Sequence, residues 1–134
     1  MAKAYNILVS AYACSPCKGS EPGVGWGFVA ELAKHHHLWI LVEADKFQAD
    51  IEKYLADNPA QADRMHFYFI AKQRNRSLRK LWPPSYYWYY RRWHEQALDL
   101  ARKLHDKVGF DIAHQLTMVG FREPGYLWQL GIPF

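Results

Sequence analysis

The sequence has few cysteines, no long apolar run and no strong excess of either charge, and each absence narrows what the protein can be. Its two cysteines, Cys14 and Cys17, are too few for a disulfide scaffold, and without a secretory signal pattern they favour a reducing compartment. No apolar run reaches the ~18 residues of a membrane-spanning helix. The net charge of +4, from 17 basic and 13 acidic residues, allows an anionic partner without identifying one.

The length of the chain, 134 residues, corresponds to one ordinary domain that buries roughly two thirds of the surface of its unfolded chain. Its last residues, "QLGIPF", have the pattern of a helix end, a turn and the opening of an apolar strand. We therefore expect residues 1–134 to be a truncated N-terminal domain whose continuation is missing.

Short apolar runs typical of buried strands alternate with stretches of helical spacing. The predicted strands are 6–12, 38–43, 66–71 and 110–115, with a fifth opening at the terminus. This alternation predicts an α/β fold, a Rossmann-like doubly wound parallel sheet of strand order 3-2-1-4-5. Ligands in such sheets bind beyond the carboxyl ends of the first and fourth strands, so residues 13–25 and 114–123 should border one crevice.

The predicted helices are defined by their apolar stripes and their end signals. The first, from about Gly23 to His36, would bury Val24, Phe28 and Leu32. Asp45 would cap the second, with Gln48 completing a capping box, and Pro59 lies beyond its end. The long third helix should begin at Pro83, Pro84 and Ser85 and stop at Gly109. Its apolar stripe consists of Tyr86, Tyr90, Trp93, Ala97, Ala101, Leu104 and Val108. A short helix should follow, with Pro124 near its start and Gly131 past its end.

The loop "CSPCKGSEPGVGWG" allows three functional interpretations. A redox dithiol needs its first cysteine at a helix N-terminus, but Lys18 to Gly23 separate Cys17 from the first helical residue. A dinucleotide fingerprint is suggested by Gly23, Gly25 and Glu43, which lies at the end of the second strand. However, Phe28 stands where the third glycine belongs, and the connection is too long for the required tight turn.

The third interpretation is an anion-binding loop at a helix start. Gly23 and Gly25 would let the backbone approach a phosphate, free N–H groups would point at it, and Glu21 would accept hydrogen bonds from hydroxyls. The alternative is that the glycines only permit a sharp turn and close packing of the helix on the sheet. Glycine content alone leaves these two accounts equal.

Two longer motifs carry a resemblance to a known family. Residues 7–34 begin "ILVSAYACSPCKGSEPGVGWG" and residues 110–134 read "FDIAHQLTMVGFREPGYLWQLGIPF". Together they resemble the N-terminal domain of family 4 glycosyltransferases (glycosyl transferase group 1), whose subgroup carries S-A-Y-x-C-x-P-x-x-G-S-E-P-G-V-G-W and later H-x-L-T-x-x-x-F-R-x-P. The resemblance implies a GT-B fold, in which two Rossmann-like domains face each other across a cleft. It also implies retention of anomeric configuration, with no metal or other cofactor required.

The resemblance also implies roles for individual residues. Gly19, Ser20, Glu21, Gly23 and Gly25 would approach the diphosphate and the sugar of a nucleotide-sugar donor. The cleft on the fourth-strand side, where a glycan or lipid-linked acceptor would bind, would be lined by His114, Thr117, Arg122 and Glu123.

His114 is the candidate for the base that takes the acceptor proton, because it lies at the expected cleft. The alternative is a structural, hydrogen-bonded histidine. A second histidine common in the family two residues later is Leu116 here, so the catalytic role does not transfer directly. Arg122 would grip a phosphate or a hydroxyl, or else pair with Glu123 on the surface. Since the C-terminal donor-binding domain is absent, the fragment alone should be inactive.

Two further features are explained more simply than by binding. His35, His36 and His37 would point in different directions on a helix, so no metal site is expected. Residues 72–92 mix cationic and aromatic side chains, as membrane anchors and nucleic-acid platforms do, but half of them belong to the long helix's stripe. We expect no nucleic-acid partner and a cytoplasmic location. Trp82, Tyr87 and Trp88 could still touch anionic headgroups at the inner membrane face.

Overall fold

The computed structural model describes residues 3–71, 85–117 and 125–134, with side chains in the long helix described from Trp88 onward. The strands are β1 Asn6–Ser10, β2 His37–Glu43, β3 Met65–Ile70 and β4 Ile112–Gln115. The helices are α1 Ser20–Leu32, α2 Ala44–Asp57 and α3 Ser85–Val108, with 3₁₀ helices at Pro59–Arg64 and Leu127–Leu130.

The four strands form one parallel sheet of order β3-β2-β1-β4. In register, Val9 of β1 lies between Ile40 of β2 and His114 of β4, and Ile40 lies next to Phe67 of β3. The predicted strand order is thus confirmed for the first four strands. The architecture is α/β and compatible with a Rossmann-like fold.

The predicted fifth strand is not formed by the last residues of the chain, 131–134, which the structure describes as irregular. The carbonyl of Pro133 nevertheless accepts a hydrogen bond from the Ala113 N–H at 2.8 Å. Since Ala113 belongs to β4, the terminal residues lie along the outer edge of the sheet, where the fifth strand was expected.

Helices cover both faces of the sheet. Trp26 and Phe28 of α1 stack on Phe67 and His114, with ring centroids 5.9 and 5.2 Å apart. On the other face, Trp39 contacts Phe110, which stacks on His105 of α3. Because successive side chains of a strand point to opposite faces, β2 is buried on both sides and reads as a nearly continuous apolar run.

The first predicted strand, 6–12, is two residues longer than β1, which ends at Ser10. Beyond it, the Ala11 N–H donates to Leu41 O at 2.9 Å and the Glu43 N–H donates to Tyr12 O at 3.2 Å. Residues 11–15 stay buried. The chain therefore leaves the sheet only after Tyr12, and the following loop starts inside the protein.

The predicted apolar face of α1 is wrong for Val24 and Phe28, whereas Leu32 is partly buried against the core. Val24 is 66% exposed and Phe28 41% exposed, whereas Gly25, Val29 and Ala33 are buried. The buried stripe has the predicted spacing of four but is displaced by one residue. The reason is that small side chains let α1 approach the sheet closely, which leaves the larger residues at the rim of the contact.

The predicted cap of α2 is also wrong by two residues. The N-cap is Glu43, whose carboxylate accepts hydrogen bonds from the Asp45 and Lys46 N–H groups at 2.8 and 3.0 Å. A carboxylate here satisfies two otherwise unpaired N–H groups of the first turn. Phe47 and Ile51 are buried on the side of α2 that faces the core.

The long helix α3 agrees with its prediction where it is described. Trp93, Ala97, Ala101 and Leu104 are buried, and Gly109 follows the helix with a φ of 74°. Pro124 and the segment 72–84 lie outside the described residues. Gly131, with φ 75°, follows the second 3₁₀ helix, which begins later than the predicted short helix.

Candidate functional site

The loops that leave β1 and β4 meet at the carboxyl edge of the sheet. The Ala13 N–H donates a 3.0 Å hydrogen bond to the Thr117 hydroxyl, in a buried contact between residues far apart in sequence. Because β1 and β4 are adjacent parallel strands, both loops emerge at the point where the winding of the sheet reverses. The two sides of the predicted crevice are therefore neighbours.

Two of the predicted loop glycines pack against the protein's own backbone. A Cβ at Gly25 would lie 2.4 Å from Ala13 O and 3.2 Å from the Thr117 methyl, and one at Gly23 would lie 2.6 Å from Lys18 O. The 2.4 and 2.6 Å distances to the two carbonyl oxygens are shorter than real Cβ contacts, so the positions require glycine for packing. The close-packing alternative accounts for Gly23 and Gly25, and their lack of a side chain carries no information about a ligand.

The remaining predicted loop residues, Gly19, Ser20 and Glu21, are exposed at the start of α1. Gly19 is the N-cap and provides no side-chain cap, and a Cβ there would meet open space. Ser20 has a φ of 58°, in the left-handed region that non-glycine residues seldom adopt. Such strained residues concentrate at functional sites.

A side-chain cluster ties this loop to α2. The carboxylate of Asp50 accepts hydrogen bonds from the Ser15 hydroxyl, at 2.9 Å, and from the Lys18 ammonium. Lys18 also donates to Lys46 O at 3.1 Å and lies over the Phe47 ring. The Lys18 hydrogen bond, followed by that of Ser15, holds the pKa of Asp50 below its usual range. The loop is fixed on the α2 side just before Gly19.

His114 lies on the α1 face of β4, half-buried beneath Phe28. The two rings are nearly parallel, with an interplanar angle of 5° and centroids 5.2 Å apart. Burial lowers the pKa of His114 below its ordinary 6.5, because the charged imidazolium loses solvation. The structure thus favours a neutral imidazole on the α1 face of β4.

Thr117 is only 3% exposed and its hydroxyl is bonded to the Ala13 backbone, so it holds the two loops together. Gln115 adds to this order by donating a 2.7 Å hydrogen bond to Thr117 O. The other two predicted cleft residues, Arg122 and Glu123, lie outside the described residues.

The dithiol interpretation is not supported by the environment of the cysteines. Cys14 is fully buried, and burial raises the pKa of its thiol to about 12. Cys17 is exposed, and α1 begins only at Ser20. An attacking cysteine needs an accessible thiolate near neutral pH, which Cys14 does not provide.

The dinucleotide interpretation is not supported either, because its acidic residue, Glu43, is buried and already bonded. Glu43 is only 1% exposed, and its two carboxylate oxygens bond the first turn of α2. A ribose hydroxyl could reach this carboxylate only if the helix cap opened.

No group of three or more histidine, cysteine or acidic side chains in the described residues is arranged to hold a metal ion. The histidine run does not form the predicted helix end: α1 stops at Leu32, and His37 opens β2. A cavity of about 380 Å³ beside the loop is lined in part by Pro16, Cys17 and Asp50.

Two residues of the site were not predicted. Asp50 sits on a separate helix, and no local spacing marks it as the partner of Ser15 and Lys18. Phe28 was assigned to the core because its spacing fits, whereas it covers His114. The sequence signal that could have identified Phe28 is its position: a large apolar residue stands where the dinucleotide fingerprint has its third glycine.

Comparison of the chain with protein-family models, with curated proteins and with solved structures gave no match in any of the three. None of the helices in the described ranges has the combination of length and apolarity needed to cross a bilayer.

Proposed function

We propose that this chain is the acceptor-side, N-terminal half of a retaining GT-B glycosyltransferase that uses a nucleotide-sugar donor. The observation that carries the proposal is the contact between the two motif segments. Ala13 and Thr117 belong to the segments that resemble family 4 glycosyltransferases, and they are joined by a buried hydrogen bond. Segments about a hundred positions apart thus meet beside the switch point of the sheet, which supports the proposal.

In this proposal the exposed start of α1 faces the donor. The first N–H groups of a helix and its positive dipole end favour a diphosphate, and Gly19 leaves open space there. Glycosyl transfer builds positive charge on the sugar while the diphosphate leaves, so fixed donors near the leaving group contribute most. Gly25 supports this arrangement indirectly by letting α1 pack against Ala13, and Gly23 by packing against Lys18 O.

On the acceptor side, His114 is the group placed to take a hydrogen bond from a glycan or lipid-linked hydroxyl. A neutral imidazole is the form required, and burial of the ring favours it. Arg122 and Glu123 follow in sequence, and the resemblance assigns them to the same proposed cleft. The chemistry uses neither a metal nor another cofactor.

The proposal includes a cytoplasmic location with peripheral contact at the inner membrane face, and no nucleic-acid partner. Of the aromatic residues proposed to touch lipid, Trp88 is 49% exposed on α3. Trp82 and the side chain of Tyr87 lie outside the described part of the chain. Arg91 and Arg92 are exposed on the next turn, which suits anionic headgroups.

The test is a direct comparison of donor classes on the encoded polypeptide that contains this chain. Its intrinsic tryptophan fluorescence is titrated with NAD and with UDP-, GDP- and ADP-sugars, and release of nucleoside diphosphate is followed with glycan and lipid-linked acceptors. We expect saturable binding of one sugar nucleotide and acceptor-dependent release. Tight NAD binding without turnover of any sugar nucleotide would end the transferase proposal in favour of an oxidoreductase module.

A matched pair of variants links the activity to the site. Ser20→Val places a β-branched residue at a φ of 58°, so we expect the start of α1 to shift and turnover to fall at least about tenfold. Lys103→Ala, on the exposed surface of α3, should leave turnover unchanged. Equal turnover in the two variants would remove the start of α1 from the mechanism.

A further inference from the structure

Phe28 occupies a position whose geometry is explained neither by the core nor by a solvated helix face. It is 41% exposed, so much of its apolar surface remains in water. Its ring nevertheless lies parallel to that of His114, with an interplanar angle of 5° and a centroid distance of 5.2 Å. Aromatic pairs at such distances are stabilised beyond the effect of their buried area when the rings are offset.

We propose that Phe28 is a positioning residue of the candidate site, which covers one face of the His114 imidazole so that the ring keeps one orientation toward the substrate hydroxyl. This inference rests on the proposed function. Stacking engages the face of the imidazole and leaves both nitrogens at its edge, where hydrogen bonds form in the ring plane. A hydroxyl can therefore bond to His114 at the edge of the ring while Phe28 covers one face of it.

The surroundings of the pair are consistent with control by burial rather than by charge. Val9 is the register neighbour of His114 on β1, and Ile112 precedes it on the same face of β4. The acidic residues of α1 are Glu21, two turns before Phe28, and Glu31, one turn after it and paired with Lys34. An adjacent carboxylate would raise the pKa of His114, yet that pKa is lowered, and burial is the cause.

Phe28 also explains why the loop departs from the dinucleotide fingerprint. The third glycine of that fingerprint serves close packing between helix and strand. Here Gly25, Val29 and Ala33 provide the close contact, so position 28 is displaced to the rim above β4. An aromatic side chain fits at that rim and reaches His114.

The experiment follows the titration of His114 by NMR in the wild type and in Phe28 variants. Comparison with His114→Phe assigns the resonance among the seven histidines. We expect Phe28→Ala to move the His114 titration midpoint up toward 6.5, because the ring becomes solvated. Phe28→Tyr, which keeps the stacked ring, should retain the wild-type midpoint, and Phe28→Leu should give an intermediate one.

An unchanged midpoint in both Phe28→Ala and Phe28→Leu would overturn the inference. Near-UV circular dichroism establishes that each variant is folded, and Phe28→Leu decides the question if Phe28→Ala does not fold. The inference would also be overturned if the His114 midpoint in Phe28→Tyr shifted as far as it does in Phe28→Ala, since the stacked aromatic ring would then make no difference.

The pH profile of acceptor-dependent turnover separates this inference from the proposed function. If both hold, the acidic limb of the profile moves with the NMR midpoint in Phe28→Ala and returns in Phe28→Tyr. If the midpoint moves but the wild type transfers no sugar, the pairing stands and the glycosyltransferase proposal fails. If the enzyme turns over but the acidic limb of its pH profile does not move with the His114 midpoint in Phe28→Ala, Phe28 has no role at the site. The transferase proposal would then remain intact.

Discussion

At the scale of single residues, the Asp50 carboxylate holds the loop between β1 and α1 through two side chains of that loop. Ser15 is fully buried and donates to Asp50 at 2.9 Å, and Lys18 pairs with the same oxygen. The lowered pKa of Asp50 means that the folded protein prefers the charged form. Its contribution is therefore present above the ordinary pKa of 3.8 and is lost as the pH falls through the lower folded value.

We expect Asp50→Ala to lower the free energy of unfolding by about 1–2 kcal/mol, because the buried Ser15 hydroxyl loses its acceptor. Asp50→Asn keeps an oxygen at the same place and should cost less. Urea denaturation at neutral pH measures both. A loss in Asp50→Asn as large as that in Asp50→Ala would show that charge, rather than the Ser15 hydrogen bond, holds the loop.

His114 also makes the stability of the protein depend on pH. Here the folded protein prefers the neutral form of the group, whereas at Asp50 it prefers the charged form. Burial lowers its pKa below 6.5, so the unfolded chain binds this proton more readily than the folded protein does. Stability should therefore fall as the pH drops below 6.5. We expect His114→Phe, which can still stack on Phe28, to lose less stability than the wild type between about pH 8 and about pH 5. Urea midpoints at the two pH values give the comparison, and equal losses would contradict it.

At the scale of elements, α1 is placed by small residues rather than by large apolar ones. A Cβ added at Gly25 would lie 2.4 Å from Ala13 O, whereas a Cβ added at Gly27 would meet open space. The two glycines lie two residues apart on the same helix, and only one faces the sheet. This contrast isolates packing from helix propensity.

The predicted effects of alanine at these two glycines therefore differ in sign. Gly25→Ala should destabilise the protein by about 1–3 kcal/mol, because α1 or the Ala13 loop must move. Gly27→Ala should stabilise it by roughly 0.5–1 kcal/mol, since alanine is the better helix former. Thermal or urea unfolding of both variants gives the sign directly. If both variants were destabilised, the open space beside Gly27 would be contradicted, because the added methyl group would then have to clash with a neighbour.

At the scale of the whole molecule, Trp93 joins α3 to the end of β3 and to the segment that follows β1. It is only 1% exposed, its Nε1 donates to Ile70 O at 3.0 Å, and its ring meets that of Tyr12 at 4.9 Å. One side chain thus connects the end of β3, the loop after β1 and the long helix. The half of the core on this face depends on it.

We expect Trp93→Ala to cost about 3–5 kcal/mol, enough to unfold a marginally stable domain. Trp93→Phe should cost less, because it keeps most of the apolar volume and loses chiefly the hydrogen bond to Ile70. Trp88→Ala, at a 49% exposed position on the same helix, should change stability by no more than about 0.5 kcal/mol. Comparable losses for Trp93→Ala and Trp88→Ala in urea unfolding would contradict the packing of α3 described above.

Much of the fold could be predicted because its signals are local. Strands such as β2 are continuous apolar runs that must be buried wherever they lie, and Gly109 ends α3 through its own backbone freedom. Their alternation with helices predicts the parallel order, and that order puts the loops after β1 and β4 side by side. The neighbourhood of residues 13–25 and 114–117 therefore follows from the sequence.

The tertiary structure alone decided which side chains act in that neighbourhood. Val24 and Phe28 have the spacing of a core stripe, but contact between two backbones at Gly25 and Ala13 rotates α1 by one residue and carries Phe28 to His114. Asp50 reaches the loop from another helix, and the first turn of α2 bonds to Glu43 as its cap. Spacing along a chain determines which residues share a face, whereas the closest approach of neighbouring backbones determines what that face meets.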